Sequence, residues 1–243
     1  MNDATGRALL KRAPAVKLCP GGILWGKIAV RRPMVLALIA VAFWPAPQAH
    51  AGDPPADFTG VYLGLSTGYG FGATGDWCLC SPLPAAAGAV GGEGGVVVGG
   101  EAGYGMRLGP IVVEAGARAA YADIRFYENP CVAALACSGE LAWLGEAQVS
   151  AGVAIGDVLV AGGIGYAVGD VHANVGASPT NTTTHEGRVL TARVEQGMSD
   201  GWRMGLEYRY YDMSGTSDLA GAPVDFDWTA QSAAFVIRYE LPD

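Results

Sequence analysis

Large apolar residues alternate with small or polar ones along most of this chain, most clearly over 58–71, FTGVYLGLSTGYGF. There Val61, Leu63, Leu65, Tyr69 and Phe71 interleave with Gly60, Gly64, Ser66, Gly68 and Gly70. A strict period of two is the mark of a β-strand, because successive side chains leave opposite faces. One face is bulky and ends in aromatics, while the other is nearly all glycine, so the bulky side points outward and the inward side is kept thin. A soluble barrel buries its apolar face instead. An apolar exterior, aromatic girdles and a polar lumen are the character of a transmembrane β-strand.

Seven further segments follow the same rule. The second, about 95–107, sets Val96, Val98, Ala102, Tyr104 and Met106 outside against Gly99, Glu101, Gly103, Gly105 and Arg107. The third, about 111–121, places Ile111, Val113, Ala115, Ala117 and Tyr121 outside, with Glu114, Gly116 and Arg118 inside. In the fourth, about 141–155, Leu141, Trp143, Val149, Val153 and Ile155 face out while Glu146, Gln148 and Ser150 face in. The fifth, about 158–168, alternates Val158, Val160, Ile164, Tyr166 and Val168 with Gly163 and Gly165. The sixth, about 188–198, is the least apolar and opposes Leu190, Ala192 and Val194 to Thr191, Arg193 and Glu195. The seventh carries Trp202, Met204, Leu206, Tyr208 and Tyr210 against Arg203, Glu207, Arg209 and Tyr211. The eighth, about 229–241, has Ala233, Phe235, Ile237 and Tyr239 outside and Arg238 inside.

The connections alternate in length. Leu108-Gly109-Pro110, Gly156-Asp157 and Ser199-Asp200-Gly201 are short, whereas 72–94, 171–187 and 212–227 are long. Tight periplasmic turns and longer external loops have this layout. The pattern predicts an all-β fold, an eight-stranded antiparallel transmembrane up-and-down β-barrel.

Ahead of the barrel, Arg31 and Arg32 precede an apolar run from Met34 to Trp44 and the small-x-small sequence Ala49-His50-Ala51. This is the grammar of a secretory signal peptide. The apolar run is about half the ~20 residues that a spanning helix needs. The organisation expected is therefore an extended N-terminal region and cleavable signal over 1–51, then one barrel domain over 52–243. Met34 is a second candidate start. Seven of the 15 basic residues and one of the 23 acidic ones lie in the leader, leaving eight arginines against 22 acids, a balance of −14. A lysine-free polyanion is unsuited to nucleic acid, whose recognition depends on neutralising phosphates.

The inward positions gather the charge. Glu101, Glu114, Glu146, Glu195 and Glu207 share one predicted lumen with Arg107, Arg118, Arg193, Arg203, Arg209 and Arg238. Eight strands enclose just enough space for side chains to fill, so these groups are expected to interdigitate as a structural plug rather than act as a catalytic pair. Buried charge without a partner would be costly, and neighbouring glycines leave room for the long arginines. A wide continuous pore is not expected.

These features together resemble a known family, the small outer-membrane β-barrels of Gram-negative bacteria filed as porin-family or outer-membrane immunogenic proteins, akin in architecture to OmpA-type and opacity-type barrels. The resemblance is carried by Asp57-Phe58-Thr59-Gly60-Val61-Tyr62-Leu63-Gly64 with Gly68-Tyr69-Gly70, by Gly205-Leu206-Glu207-Tyr208-Arg209-Tyr210, and by Phe235-Val236-Ile237-Arg238-Tyr239. It implies residence in the outer membrane, contact with its lipid and lipopolysaccharide, and insertion by the barrel-assembly machinery. Such barrels usually end on an aromatic residue, whereas here Leu241-Pro242-Asp243 follows Tyr239.

Four cysteines, Cys78, Cys80, Cys131 and Cys137, fall in the first two long connections, and the fifth, Cys19, lies in the leader. In an exported chain they read as disulfide candidates. Three pairings are open, with links between the Cys78/Cys80 pair and the Cys131/Cys137 pair favoured because a ring closed by Cys78 and Cys80 would be strained. A Cys-x-Cys metal site is the minor reading. Some barrels of this architecture are enzymes with a rim histidine, and here His172 and His185 accompany Asp170, Ser178 and Glu186 in the third long connection. No family motif surrounds them, so no catalytic residue, metal or cofactor is expected. The first and fourth connections hold Asp76, Glu93, Asp212, Asp218, Asp225 and Asp227, an acidic outer face open to a surface ligand. The function expected is structural or surface-interactive, with a narrow channel as the alternative and a rim lipid hydrolase behind it.

Overall fold

A computed structural model of the chain describes residues 57–79, 86–132, 135–175, 181–219 and 222–242. Nine strands follow one another: β1 (Gly60–Leu79), β2 (Ala86–Glu93), β3 (Gly95–Leu108), β4 (Ile111–Val132), β5 (Leu135–Ile155), β6 (Val158–Val175), β7 (Asn181–Gly197), β8 (Trp202–Leu219) and β9 (Ala222–Glu240). Every ladder is antiparallel; from β3 to β9 each strand pairs with the next, β1 pairs with both β2 and β3, β2 also pairs with β4, and β1 pairs with β9 to close the cylinder. The ninth strand is one barrel position counted twice. Gly70 opposes Gly95 and Thr74 opposes Gly91 in a single continuous register, so β2 and β3 form one wall position interrupted at Gly94. The barrel is thus eight-stranded and up-and-down.

At the short-turn end, Gly109 (φ +65) and Gly156 (φ +61) occupy the first corner of two-residue turns. A left-handed residue there matches the twist of the flanking strands, which is why glycine stands at both corners. The third turn is the short 3-10 segment Ser199–Gly201.

Outward residues are apolar between two aromatic levels. Tyr69, Tyr121, Trp143 and Tyr166 stand exposed toward the long-hairpin end, with Tyr104 and Trp202 near the other. Trp202 packs on Tyr239 with ring centroids 4.9 Å apart. The run Val61–Tyr69 between the levels suits the ~9–11 residues of a tilted transmembrane strand. We take the segments between these girdles as the membrane-spanning part.

Beyond the upper girdle the structure corrects the sequence reading. The expected long loops are mostly strand: β1 continues to Leu79, β4 and β5 meet at Val132 and Leu135, β6 reaches Val175, β7 starts at Asn181, and β8 and β9 meet at Leu219 and Ala222. Their outer faces are polar because no lipid surrounds them, which erases the apolar stripe while leaving the backbone ladder intact. A second correction concerns Leu141, expected outside but fully buried in the lumen. The β5–β6 register slips between Leu141 and Trp143. One extra residue at a bulge moves everything beyond it to the opposite face.

Candidate functional site

The lumen is filled in three layers. At the short-turn end Phe58, Val112, Ala154, Leu159 and Ala161 form a small apolar cluster. At the hairpin end a larger one collects, among others, Ile124, Phe126, Leu141, Leu144, Val171, Met213 and Trp228. Between them lies a layer of ion pairs, built from inward-pointing residues of β3, β4, β5, β7, β8 and β9.

The middle layer matches five carboxylates, Glu101, Glu114, Glu146, Glu195 and Glu207, to five guanidiniums, Arg118, Arg193, Arg203, Arg209 and Arg238. Arg118 Nη1 donates to Glu146 Oε1 at 2.8 Å, and its Nη2 donates to Ser66 Oγ at 3.1 Å. Arg203 Nη1 bridges Glu114 Oε1 at 2.9 Å and Glu195 Oε2 at 3.4 Å. Arg209 Nε holds Glu207 Oε1 at 2.7 Å while its Nη1 donates to Glu146. Arg193 donates to Glu114 and, at 3.2 Å, to Ser150 Oγ. Arg238 reaches Glu101 and Glu195 and comes within 3.6 Å of Glu207. Tyr211 caps Glu146 Oε1 through its hydroxyl at 2.9 Å.

No side chain of these ten is more than 3% exposed. A water-wide passage through the lumen would leave them wetted, and they are not. Glycine makes this density possible at Gly64, where a Cβ would lie 2.8 Å from Glu101 Oε1 and 3.0 Å from Arg238 Cγ.

Arg107 does not join this layer, which corrects the sequence expectation. It sits half-buried at the short-turn rim, where its Nε donates to the Gly109 carbonyl at 2.9 Å. Its inward parity is right, but β3 ends one residue later and leaves it level with the turn. Without it five guanidiniums remain with the five buried carboxylates, and Arg203 Nη2 also comes within 3.4 Å of Glu240 Oε1, whose side chain is 13% exposed.

Two aromatics went unread in the sequence. Tyr62 lies under the arginines, with Arg238 Cζ 5.0 Å and Arg203 Cζ 5.2 Å from its ring centroid, and Phe58 lies 5.4 Å from Arg203 Cζ. Such contacts stabilise a desolvated cation. Positions 58, 60, 62 and 64 share one parity, so the period that assigned the glycines inward also assigns Phe58 and Tyr62 there.

The histidines part company. His185 is buried in the outer apolar layer, where Trp228 Nε1 donates to its Nδ1 at 3.0 Å and Thr183 Oγ1 lies 3.2 Å from its Nε2. Accepting through Nδ1 selects the neutral Nε2–H tautomer, and burial pushes the imidazole down to about 4 from its ordinary 6.5. His185 stands above the upper girdle, three residues past Arg188, the β7 partner of Tyr166. His172 instead lies on the hairpin surface, its Nδ1 2.7 Å from Thr182 Oγ1. Asp170 is engaged elsewhere, accepting from Trp143 Nε1 at 2.7 Å and from Thr184 Oγ1 at 2.9 Å, and Glu186 accepts from the Tyr166 hydroxyl. Ser178 and Cys80 lie outside the described residues, and Cys78, Cys131 and Cys137 are placed by their backbone alone. Among the described residues no group of three or more His, Cys, Asp or Glu gathers in a metal-binding arrangement.

Comparison with known proteins follows from this geometry. A family model described as outer membrane protein beta-barrel domain matches residues 34–232. Among curated proteins no sequence matches the chain. Neisserial surface protein A is similar at 13% identity and a TM-score of 0.41, over 75% of this chain and 98% of that one. OprG, an outer membrane protein from Pseudomonas aeruginosa, is similar at 8% identity and a TM-score of 0.47, covering 77% and 100%. The outer membrane protease OmpT from Escherichia coli gives 9% identity and 0.39, covering 79% and 100%. At these identities and scores the solved structures carry no functional information for this chain.

Proposed function

The chain belongs to the outer membrane protein beta-barrel family, and from that premise we propose that it serves the cell outer membrane as a closed structural barrel that presents its hairpins to the surroundings. The observation that supports this reading is the ionic layer, sealed between two apolar layers and with no side chain above 3% exposure. A narrow channel through the same lumen would need those charges wet and separable. A rim hydrolase would need a histidine poised beside a nucleophile, whereas His185 faces the apolar interior and His172 bonds to Thr182.

The outer hairpins supply the interactive part. Their exteriors carry Asp123, Glu140, Asp170, Glu186 and Asp212, with Arg125 and Arg188 paired among them at 2.8 Å and 2.6 Å. An acidic wall above an aromatic girdle suits contact with lipopolysaccharide through divalent cations, and the proposed partners are outer-membrane lipid, lipopolysaccharide and, during insertion, the assembly machinery.

The test is a deletion strain scored for leakage of a large dye and for uptake of small solutes. The structural reading expects increased dye entry, restored both by the wild type and by a His172→Ala, His185→Phe double variant. Selective loss of small-solute uptake would replace it with the channel, and failure of the double variant to complement, while still inserted, would replace it with the hydrolase.

A further inference from the structure

Phe58 is the only bulky residue in the described chain that combines a left-handed backbone with complete burial: φ is +55 and its exposure is 0%. For a side chain of this size that region is disfavoured, and such strain persists only where the surroundings over-determine it. Phe58 precedes β1 and takes part in no strand. Its ring nevertheless turns up into the barrel mouth and packs with Val112, Ala154, Leu159 and Ala161 beneath Arg203.

The flanking residues hold it there. Thr59 Oγ1 donates to Asp57 Oδ1 at 3.1 Å and accepts the Arg107 backbone N–H at 3.2 Å, which ties the segment to the end of β3. The Phe58 carbonyl presses on Gly105, where a Cβ would lie 2.6 Å from it. Gly60 follows at φ +119, so the chain bends twice in three residues as it enters the ladder, where Gly60 opposes Gly105. The wall does not use Asp57–Thr59: β1 pairs with β3 from Gly60, opposite Gly105, and with β9 from Tyr62, opposite Glu240.

We propose that Asp57–Thr59 is a periplasmic stopper separable from the barrel wall, and that the Phe58 ring is what keeps water from the Arg203 end of the ionic layer. Closure of the lumen then has two independent parts, the outer apolar layer built into the strands and a plug at the opposite mouth that can leave without breaking a ladder. The inference rests on the closed-barrel reading and assigns the residue that seals one end.

Thiol accessibility tests it in the folded, detergent-solubilised barrel with Cys78, Cys80, Cys131 and Cys137 replaced by Ser and heat-modifiable mobility retained. A reporter Val112→Cys lies behind the stopper, and Val189→Cys lies in the outer layer. With Phe58 present, a hydrophilic methanethiosulfonate is expected to label both slowly. Phe58→Ala should speed labelling at Val112→Cys at least tenfold and leave Val189→Cys unchanged, and Phe58→Leu should keep the mouth closed. Unchanged labelling at Val112→Cys, or equal acceleration at both reporters, would overturn the stopper. Fast labelling of both reporters with Phe58 in place would instead overturn the closed-barrel reading.

Discussion

The ionic middle of the lumen and the apolar layer above it are enclosed by the same eight wall positions, yet they are held by opposite chemistry. In the middle, long arginines fill the interior only because each guanidinium meets carboxylates. Above the upper girdle, Ile124, Phe126, Leu144 and Trp228 pack as in a soluble protein core. The difference follows from what surrounds the wall. Within the bilayer the hydrophobic effect acts on the outer face and the interior is free to be polar, whereas outside it the wall meets water and the interior must supply the apolar burial. One barrel is therefore inside-out below its girdle and right-side-out above it.

That contrast predicts different responses to substitution. The largest effect is expected from Arg238→Ala, which strips a buried cation from Glu101 and Glu195 and should cost about 3–5 kcal/mol of unfolding free energy in a urea titration. A loss below about 1 kcal/mol would mean that the layer is hydrated and its charges are screened. Leu144→Ala removes apolar volume from the outer layer and should cost about 2–4 kcal/mol, with unfolding by acid and salt otherwise unchanged.

Acid sharpens the contrast further. The imidazole of His185 lies at about 4 when folded and 6.5 when free, so between these values the unfolded chain binds more protons. Its contribution is present above pH 6.5 and lost as pH falls toward 4. The wild type should lose more thermal stability over that window than His185→Phe, and parallel curves would show that the outer layer does not bury the ring. The smallest effect belongs to the exposed pair Arg188–Asp212, where Arg188→Ala should change stability by no more than about 1 kcal/mol and less at high salt.

The two regions were also unequally legible in the sequence. Within the membrane, period two put ten of the eleven inward charges where the structure brings them together, because lipid on one side and a crowded lumen on the other leave each position little choice. Arg107 escaped since parity gives a face but not a height. Above the girdle, both faces lose their contrast. Asn181-Thr182-Thr183-Thr184 reads as a loop although it is paired strand, and Phe226 falls in the expected loop and Trp228 just ahead of the expected last strand, whereas both belong to the core. Leu141 was misassigned because a bulge has no signature in a run of apolar residues.

Single-channel recording in a planar bilayer tests the sealed lumen most directly. The folded wild-type barrel is expected to insert, as shown by heat-modifiable mobility of the recovered protein, and to give no resolvable ohmic steps in 1 M salt. Reproducible steps from the wild type would contradict the account and make the ionic layer the lining of a channel.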